Sequence, residues 1–389
     1  MKQIYLKRGK EESLLRFHPW IFSGAIHHAD ADIKEGETIR VVDAEGRFIA
    51  IGHYQMGSIA VRVLTFRDTN IDDAFWFARL ASALQVRQAI GLCNVNDNNT
   101  FRLVHGEGDN LPGLIIDIYG RTAVMQAHSI GMHLARKTIA TQLVKVMEGL
   151  IDNVYYKSET TLPFMEPENG FIIGGTQENI GVENGLKFQV DWLRGQKTGF
   201  FVDQRENRSL LEHYAKGKNV LNMFCYTGGF SVYAMRGMAR QVHSVDSSAK
   251  AIELTRANIE LNFPGDSRHE AFCEDAFKYL ERAGDQYDLI ILDPPAFAKH
   301  RGALHNALKG YTRLNLKAFE KIQPGGILFT FSCSQVVTKD HFRNAVFTAA
   351  AMAHRKVRIL HQLHQPADHP INIFHPEGEY LKGLVLFVE

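Results

Sequence analysis

At 389 residues the chain has the length of two or three domains, each large enough for a core of its own. Its 44 Lys and Arg residues balance 43 Asp and Glu, a net charge of +1, which excludes a uniformly basic nucleic-acid coat and leaves contact with RNA to local patches. With 45% hydrophobic and 22% charged residues, no apolar run of membrane-spanning length and no hydrophobic core in MKQIYLKRGK, the composition is that of a globular protein, expected to be soluble, cytoplasmic and free of any membrane.

Residues 1 to about 66 hold short apolar runs with turn signals close together. Ile4 to Lys7 is the first. Thr38 to Val42 follows Lys34-Glu35-Gly36, Phe48 to Gly52 follows Ala44-Glu45-Gly46, and Ile59 to Leu64 alternates apolar with polar residues. This spacing predicts a small strand-rich barrel. Basic residues gather early, beside Phe17, His18, Trp20 and Phe22. Aromatic faces among cations suit RNA, so Lys7, Arg8, Lys10 and Trp20 are candidate contacts. Taken alone, Trp20 and Phe22 read as core.

Asp72 to Ile90 reads as a helix, followed by a polar loop at 94–99. Phe101 to Val104, Leu114 to Tyr119, Val124 to His128, Val154 to Lys157 and Gly185 to Val190 read as strands, and His133 to Gly149 as a second helix. The Gly- and Pro-rich stretch 163–175 reads as a surface loop. This middle α+β region contains no catalytic constellation and reads as a spacer. In Leu193 to Arg208, LRGQKTGFFVDQRENR, the apolar break at Gly199-Phe200 suits a cofactor wall, Gln204 is a further cofactor candidate, and Arg205 is a candidate RNA contact.

The region around which the second half is organised is Lys218 to Asp246: an apolar run from Val220 to Phe224, the turn Cys225-Tyr226-Thr227-Gly228-Gly229, a helix from Phe230, then a second apolar run ending on Asp246. Strand, glycine turn, helix, strand and acid make up the opening of a doubly wound nucleotide-binding domain. The glycines permit backbone angles that a β-carbon forbids. Asp246, 18 residues after Gly228, is placed to accept ribose hydroxyls. The spacing is not G-x-G-x-x-G, which argues against a dinucleotide and for a nucleoside without pyrophosphate, such as S-adenosylmethionine (SAM). Ser247 reads as the N-cap of a helix reaching Leu261. Asp275, before the helix Ala276 to Arg282, can read an adenine amino group or cap that helix.

Tyr287 to Leu292 is an apolar strand of the kind buried on both faces of a parallel sheet, and it ends on Asp293-Pro294-Pro295. A helix (Leu304 to Ile322) and the turn Gln323 to Gly326 lead into Ile327 to Phe331, which ends on Ser332-Cys333-Ser334. Asp293 and Cys333 lie 40 residues apart, room for a strand–helix–strand crossover, so both are expected at one sheet edge in neighbouring strands. That pairing suits methylation at carbon-5 of a pyrimidine. A thiolate adding to carbon-6 makes carbon-5 nucleophilic, and a carboxyl group hydrogen-bonded to the ring stabilises the adduct. Lys299, His300 and Arg301 are the cations expected to lower the pKa of the thiol. Cys225 reads as structural. The four cysteines form no C-x-x-C pair, and the histidines His361, His364, His369 and His375 show no ligand spacing, so no metal is expected.

KTGFFVDQRENR, NMFCYTGGFSVYA, VDSSAKAIELTRANIELN, LDPPAFAKH, FTFSCS and ADHPINIFHPEGEYLKG together resemble the ribosomal RNA large subunit methyltransferase I family, over essentially the whole chain. The resemblance implies a SAM-dependent enzyme forming 5-methylcytosine in 23S ribosomal RNA. It also implies a multidomain α/β fold, with a PUA-like β-barrel at 1–67, a central α+β domain at 68–185 and a Rossmann-like class I methyltransferase domain at 186–389. Carried over by motif, Cys333 is the nucleophile and Gly228, Asp246, Asp275 and Asp293 line the cofactor and base pocket. Phe224, Tyr226, Thr227, Gly229, Ser247, Ala276 and Pro294 complete the cofactor candidates, and Lys299 is a further RNA candidate. The family often has lysine after Asp-Pro-Pro, where this chain has Ala296. Two other readings stay open. One is a base N-methyltransferase using Asp293-Pro294-Pro295, with Phe297 stacked on the base. The other is a catalytically inactive ribosome-assembly factor that binds RNA. A homodimer is neither required nor excluded by the sequence.

Overall fold

The computed structural model describes residues 1–93, 96–162, 168–176 and 179–389. Two compact units emerge: Met1–Gly185 with Val190–Val202 and Ala367–Gly378, and Leu186–Gln189 with Asp203–Pro366 and Glu379–Glu389.

In the first unit the alternation seen in the N-terminal sequence becomes a six-stranded sheet of Gln3–Leu6, Trp20–Phe22, Ile26–Ala29, Thr38–Val42, Phe48–Tyr54 and Ile59–Thr65. Every second side chain points inward, so Ile4, Leu6, Ile39, Val41 and Val61 are fully buried. The pairings are antiparallel except that of Gln3–Leu6 with Thr38–Val42. Phe22 is not core: it is 49% exposed, and Trp20 is half-buried, because the short strand carrying them lies at the sheet edge.

A five-stranded sheet follows, built from Thr100–His105, Leu114–Tyr119, Thr122–Ala127, Asn153–Tyr156 and Gly170–Ile173. Helices Asp73–Ala89 and Ile130–Val146 pack with it. The second helix starts earlier than its apolar pattern suggests, because the Ser129 side chain accepts from the Met132 N–H and caps it. Gly170–Ile173 is a strand, where a loop was expected over 163–175. Residues 163–167 of that stretch, and 94–95 of the expected polar loop, lie outside the described residues.

Segment Ala367–Gly378, far along the chain, belongs to this first unit. Asp368 accepts from the Arg102 N–H at 3.0 Å, and its carbonyl accepts from Arg87 Nη2 at 2.7 Å. Arg87 is fully buried and also holds the buried Asp109 carboxylate, so its guanidinium is paired rather than isolated from water.

The second unit is organised on a seven-stranded sheet. Numbered in chain order, its strands Asn219–Met223, Gln241–Asp246, His269–Cys273, Tyr287–Leu292, Ile322–Ser332, Val357–Leu363 and Lys382–Val388 run 3-2-1-4-5-7-6. The first five are parallel, and the last strand is antiparallel to both its neighbours. Leu289, Ile290, Ile291 and Leu292 are all fully buried, as a strand at the centre of a parallel sheet requires. Chain direction across the sheet reverses between Asn219–Met223 and Tyr287–Leu292, so a crevice opens at their carboxyl ends. Two local expectations change. The cap of helix Ala249–Asn262 is Ser248, whose side chain accepts from Ala251 N–H, not Ser247. The expected turn at Gln323 to Gly326 is absorbed into the eleven-residue strand Ile322–Ser332, with a register irregularity opposite Tyr287 and Leu289.

Candidate active site

Three consecutive parallel strands end on, or just before, an acid: Asp246, Asp275 and Asp293. Between them the chain turns out of Met223 through a strained path. Phe224 has φ 57°, Tyr226 φ 48° and Gly228 φ 77°. Left-handed backbone at a residue with a β-carbon costs roughly 1–2 kcal/mol, so the turn must be held by its surroundings. It is. Cys225 N–H donates to Val245 O (3.0 Å), Tyr226 N–H to Asp246 Oδ2 (3.0 Å) and Gly228 N–H to Cys225 O (2.8 Å). From helix Ala249–Asn262, Thr255 Oγ1 donates to Tyr226 O at 2.9 Å and Asn258 Nδ2 to Thr227 O at 2.8 Å.

The glycine rule in the sequence therefore covers only part of this turn. Gly228 uses its freedom, whereas Gly229 begins the helix Gly229–Arg236 and is not left-handed, and two aromatic residues carry the remaining strain. Asp246 also accepts from Ser248 N–H at 2.9 Å, so its carboxylate is oriented by two backbone donors. Asp275 caps Ala276–Arg282 by accepting from Lys278 N–H at 3.1 Å, its side chain remaining exposed at the sheet edge. Ser247 is exposed beside it, with Cys273 Sγ 3.6 Å from the Ser247 carbonyl oxygen, while Thr227 and Ala276 are buried.

Asp293 is half-buried and accepts from Gln204 Nε2 at 3.0 Å; Gln204 is in turn fixed by Asn207 Nδ2 at 2.6 Å. The geometry thus makes Gln204 an orienter of Asp293. Strands Tyr287–Leu292 and Ile322–Ser332 are direct neighbours in parallel register, as the 40-residue crossover predicted. Cys333 follows the second of them, and its Sγ lies 4.0 Å from the Pro294 carbonyl oxygen. Sulfur and Asp-Pro-Pro turn meet.

The two cysteines near the crevice differ chemically. Cys225 is 6% exposed, and burial pushes its thiol up to about 12, which makes it inert at neutral pH. Cys333 is half-buried and has a cation beside it that sequence reasoning missed: Lys382, at the start of the last strand. The expected cation Lys299 is exposed. Only the antiparallel return of the final strand brings residue 382 to residue 333, and no spacing rule reveals that. Tyr311, buried, accepts from Ser332 Oγ at 2.9 Å, and burial raises its phenol to about 12, with Cys333 and Asp293 adding to the rise. Phe297 turns into the protein, its ring 4.6 Å from that of Tyr311 and packed on Gly310.

The remaining candidates have surroundings of other kinds. Arg205 is only 3% exposed, so a surface contact with RNA is not what its side chain makes. Gly199 and Phe200 belong to the first unit. There Gly199 backs onto Trp192, and the buried Phe200 offers its carbonyl to Tyr119 Oη at 3.2 Å. In the six-stranded sheet Lys7 donates to Gly24 O, Arg8 pairs with Glu45 at 3.0 Å and Lys10 is exposed, while Trp20 Nε1 donates to Glu107 Oε1 at 2.8 Å. His18, His375 and Glu377 bring their ligand atoms within 4.8 Å of one another. The His–Glu separations of 3.6 and 3.8 Å exceed the roughly 3.3 Å edge of a tetrahedral zinc site with ordinary bond lengths.

A sheet of order 3-2-1-4-5-7-6, with a strained turn after its first strand and acids closing the next three, defines a SAM-dependent methyltransferase. The donor set is of a kind that fits that cofactor: carboxylates able to accept hydrogen bonds from hydroxyl and amino groups, and backbone held open at a glycine. Residues 171–375 match the family model described as S-adenosylmethionine-dependent methyltransferase, and residues 4–66 match that of a PUA-like domain. Curated relatives named ribosomal RNA large subunit methyltransferase I include those of Tolumonas auensis (40% identical) and Erwinia tasmaniensis (38%), each covering 98% of both chains. A SAM-dependent methyltransferase structure from Streptococcus mutans superposes with TM-score 0.84, and a methyltransferase complexed with SAH with TM-score 0.85. Each is 21% identical over the whole of both chains and shares the fold. The chain belongs to the ribosomal RNA large subunit methyltransferase I family of SAM-dependent methyltransferases.

Proposed function

We propose that this enzyme forms 5-methylcytosine in the large-subunit (23S) ribosomal RNA, with Cys333 as nucleophile and Asp293 as the base-binding carboxyl group. The observation that carries the reading is the approach of the Cys333 sulfur to the Asp293-Pro294 turn, 4.0 Å from the Pro294 carbonyl. Bound SAM supplies an electrophilic methyl group on its sulfonium. The Cys333 thiolate adds to carbon-6 of the cytosine, forming a C–S bond and moving the ring electrons to carbon-5. The Asp293 carboxyl group, oriented by Gln204 and in its protonated form, donates its O–H to the ring nitrogen and accepts from the amino group, which stabilises the charge that develops on the ring. After methylation the carbon-5 proton is lost to a base, the C–S bond breaks and the thiolate returns.

In this reading Phe224, Tyr226 to Gly229, Asp246, Ser247, Asp275, Ala276 and Pro294 bind the cofactor, with Asp246 on the ribose and Asp275 near the adenine. Lys7, Arg8, Lys10 and Trp20 of the PUA-like domain, together with Lys299, meet RNA. The chain is read as three domains, 1–67, 68–185 and 186–389, acting in the cytoplasm, where the large subunit is assembled. Among the described residues no helix is long and apolar enough to cross a membrane.

The test is RNA substituted with 5-fluorocytidine. Carbon-5 then carries no removable proton, and the adduct with Cys333 should persist as a band shifted on denaturing gels. Cys333→Ala should lose both adduct and methyl transfer while keeping SAM affinity. A Cys333→Ala enzyme as active as wild type overturns the reading. The alternative of methylation at a base nitrogen needs an aromatic ring free to stack beyond Asp-Pro-Pro, and Phe297 is packed on Tyr311 and Gly310 instead.

A further inference from the structure

Lysine is rarely buried without a partner of opposite charge, yet Lys382 is only 5% exposed. Its Cα is paired with that of Ser332, and its Nζ donates to the Ser334 carbonyl at 2.5 Å. The side chain therefore reaches from one neighbour of Cys333 to the other, spanning the nucleophile itself. A carbonyl gives the ammonium a hydrogen bond but no counter-charge.

The charged and titratable groups around it are few. Cys333 and Glu379 favour its charged form, and Lys339 opposes it. Glu379 is already paired with Lys339 at 2.5 Å. Tyr311 feels the charge of both Cys333 and Asp293. The counter-charge left for Lys382 is the sulfur of Cys333.

We propose that Lys382 is the positioning cation of the active site, its ammonium holding Cys333 in the ionised form that attacks the base. The inference rests on the reading of Cys333 as nucleophile. When Lys382 is neutral, the thiol proton passes to its amine, giving the thiolate–ammonium pair with no change in net charge. When it is already an ammonium, the thiol proton leaves to solvent and the positive charge keeps it from returning. Burial lowers Lys382 to about 8 even though Cys333 and Glu379 favour its charged form. That value lies close to the usual range of a cysteine, about 8.5, so the proton moves between the two groups at small free-energy cost. The same ammonium stabilises the thiolate when the C–S bond breaks at the end of the cycle.

The experiment measures alkylation of Cys333 by iodoacetamide from about pH 6 to about pH 10, in the absence of SAM and RNA, with the modified peptide quantified by mass spectrometry. Exposed Cys273 serves as the internal control. In the wild-type protein the rate should reach half its plateau below the ordinary cysteine range. Lys382→Met should raise that midpoint by about one pH unit or more and slow Cys333 about tenfold at pH 7, with Cys273 unchanged. Lys382→Arg should restore the rate to within about twofold, since it keeps the charge. A wild-type midpoint above the ordinary range, which needs no variant to fold, overturns the inference. So does a midpoint identical in wild type and Lys382→Met. Because no methyl transfer is measured, a shifted midpoint together with an active Cys333→Ala enzyme would sink the proposed function and leave the Lys382–Cys333 pair standing.

Discussion

Gly228→Ala isolates what the strained turn contributes. Gly228 has φ 77° and ψ 20°, where a residue with a β-carbon is disfavoured by roughly 1–2 kcal/mol. The added carbon would lie 2.7 Å from Thr255 Cγ2 and 3.2 Å from both Thr255 Cβ and Oγ1. Thr255 is β-branched and rooted in a helix, so it must turn or move. Moving it breaks the 2.9 Å bond from Thr255 Oγ1 to the Tyr226 carbonyl, worth about 1 kcal/mol. Backbone strain, the lost bond and some overpacking together come to about 2–4 kcal/mol. Tyr226 is the residue whose N–H orients Asp246, so the loss should extend to the cofactor site. Denaturant unfolding should show the midpoint reduced accordingly, and calorimetric titration should show SAM binding weakened about tenfold or more. Gly229→Ala is the matched control. Its added carbon would lie 3.1 Å from Cδ of the buried Arg208, in ordinary helical backbone with no left-handed strain, and the change should cost less than Gly228→Ala. If Gly228→Ala behaves like Gly229→Ala in both measurements, the reasoning about the turn is wrong.

Gly131→Ala should destabilise by about 1–3 kcal/mol in thermal or denaturant unfolding, because the added methyl would sit 2.2 Å from the ring of His53 inside the first unit. His53 is buried and held down to about 4 by burial, so the unfolded chain binds more protons than the folded one between about pH 6.5 and pH 4. Its stabilising contribution is therefore complete above that window and is lost as pH falls through it, by about 3 kcal/mol at most; a stability measured by denaturant that stays flat from pH 7 to pH 4.5 would contradict this. Gln204→Leu should lower kcat for methyl transfer roughly tenfold by releasing the Asp293 carboxylate, while leaving Cys333 alkylation unchanged. Asp246→Asn removes a charge that accepts from the Tyr226 and Ser248 N–H groups, and should weaken SAM binding more than it lowers stability, as calorimetry and unfolding run side by side will report.

Much of this molecule is written in local pattern. The short runs in residues 1–66 give four of the six strands of the first sheet, missing Trp20–Phe22 and Ile26–Ala29, and the unbroken apolar run Leu289 to Leu292 is a strand buried on both faces. The crossover length between Asp293 and Cys333 was enough to bring both to neighbouring parallel strands, because right-handed strand–helix–strand units have few ways to pack. Three things needed the folded chain. Phe224 and Tyr226 adopt left-handed backbone where the turn donates hydrogen bonds to Val245 and Asp246 and accepts one from Thr255, and nothing in an aromatic residue announces it. Segment Ala367–Gly378 joins the first unit through Arg87 and Arg102, partners more than 260 residues away, since buried charge is paired by whatever tertiary packing brings near. Lys382 reaches Cys333 because the last strand runs antiparallel beside the fifth. Periodicity assigns residues to strands, but which strands become neighbours is decided by the burial of the whole sheet, and that pairing chose the cation beside the sulfur.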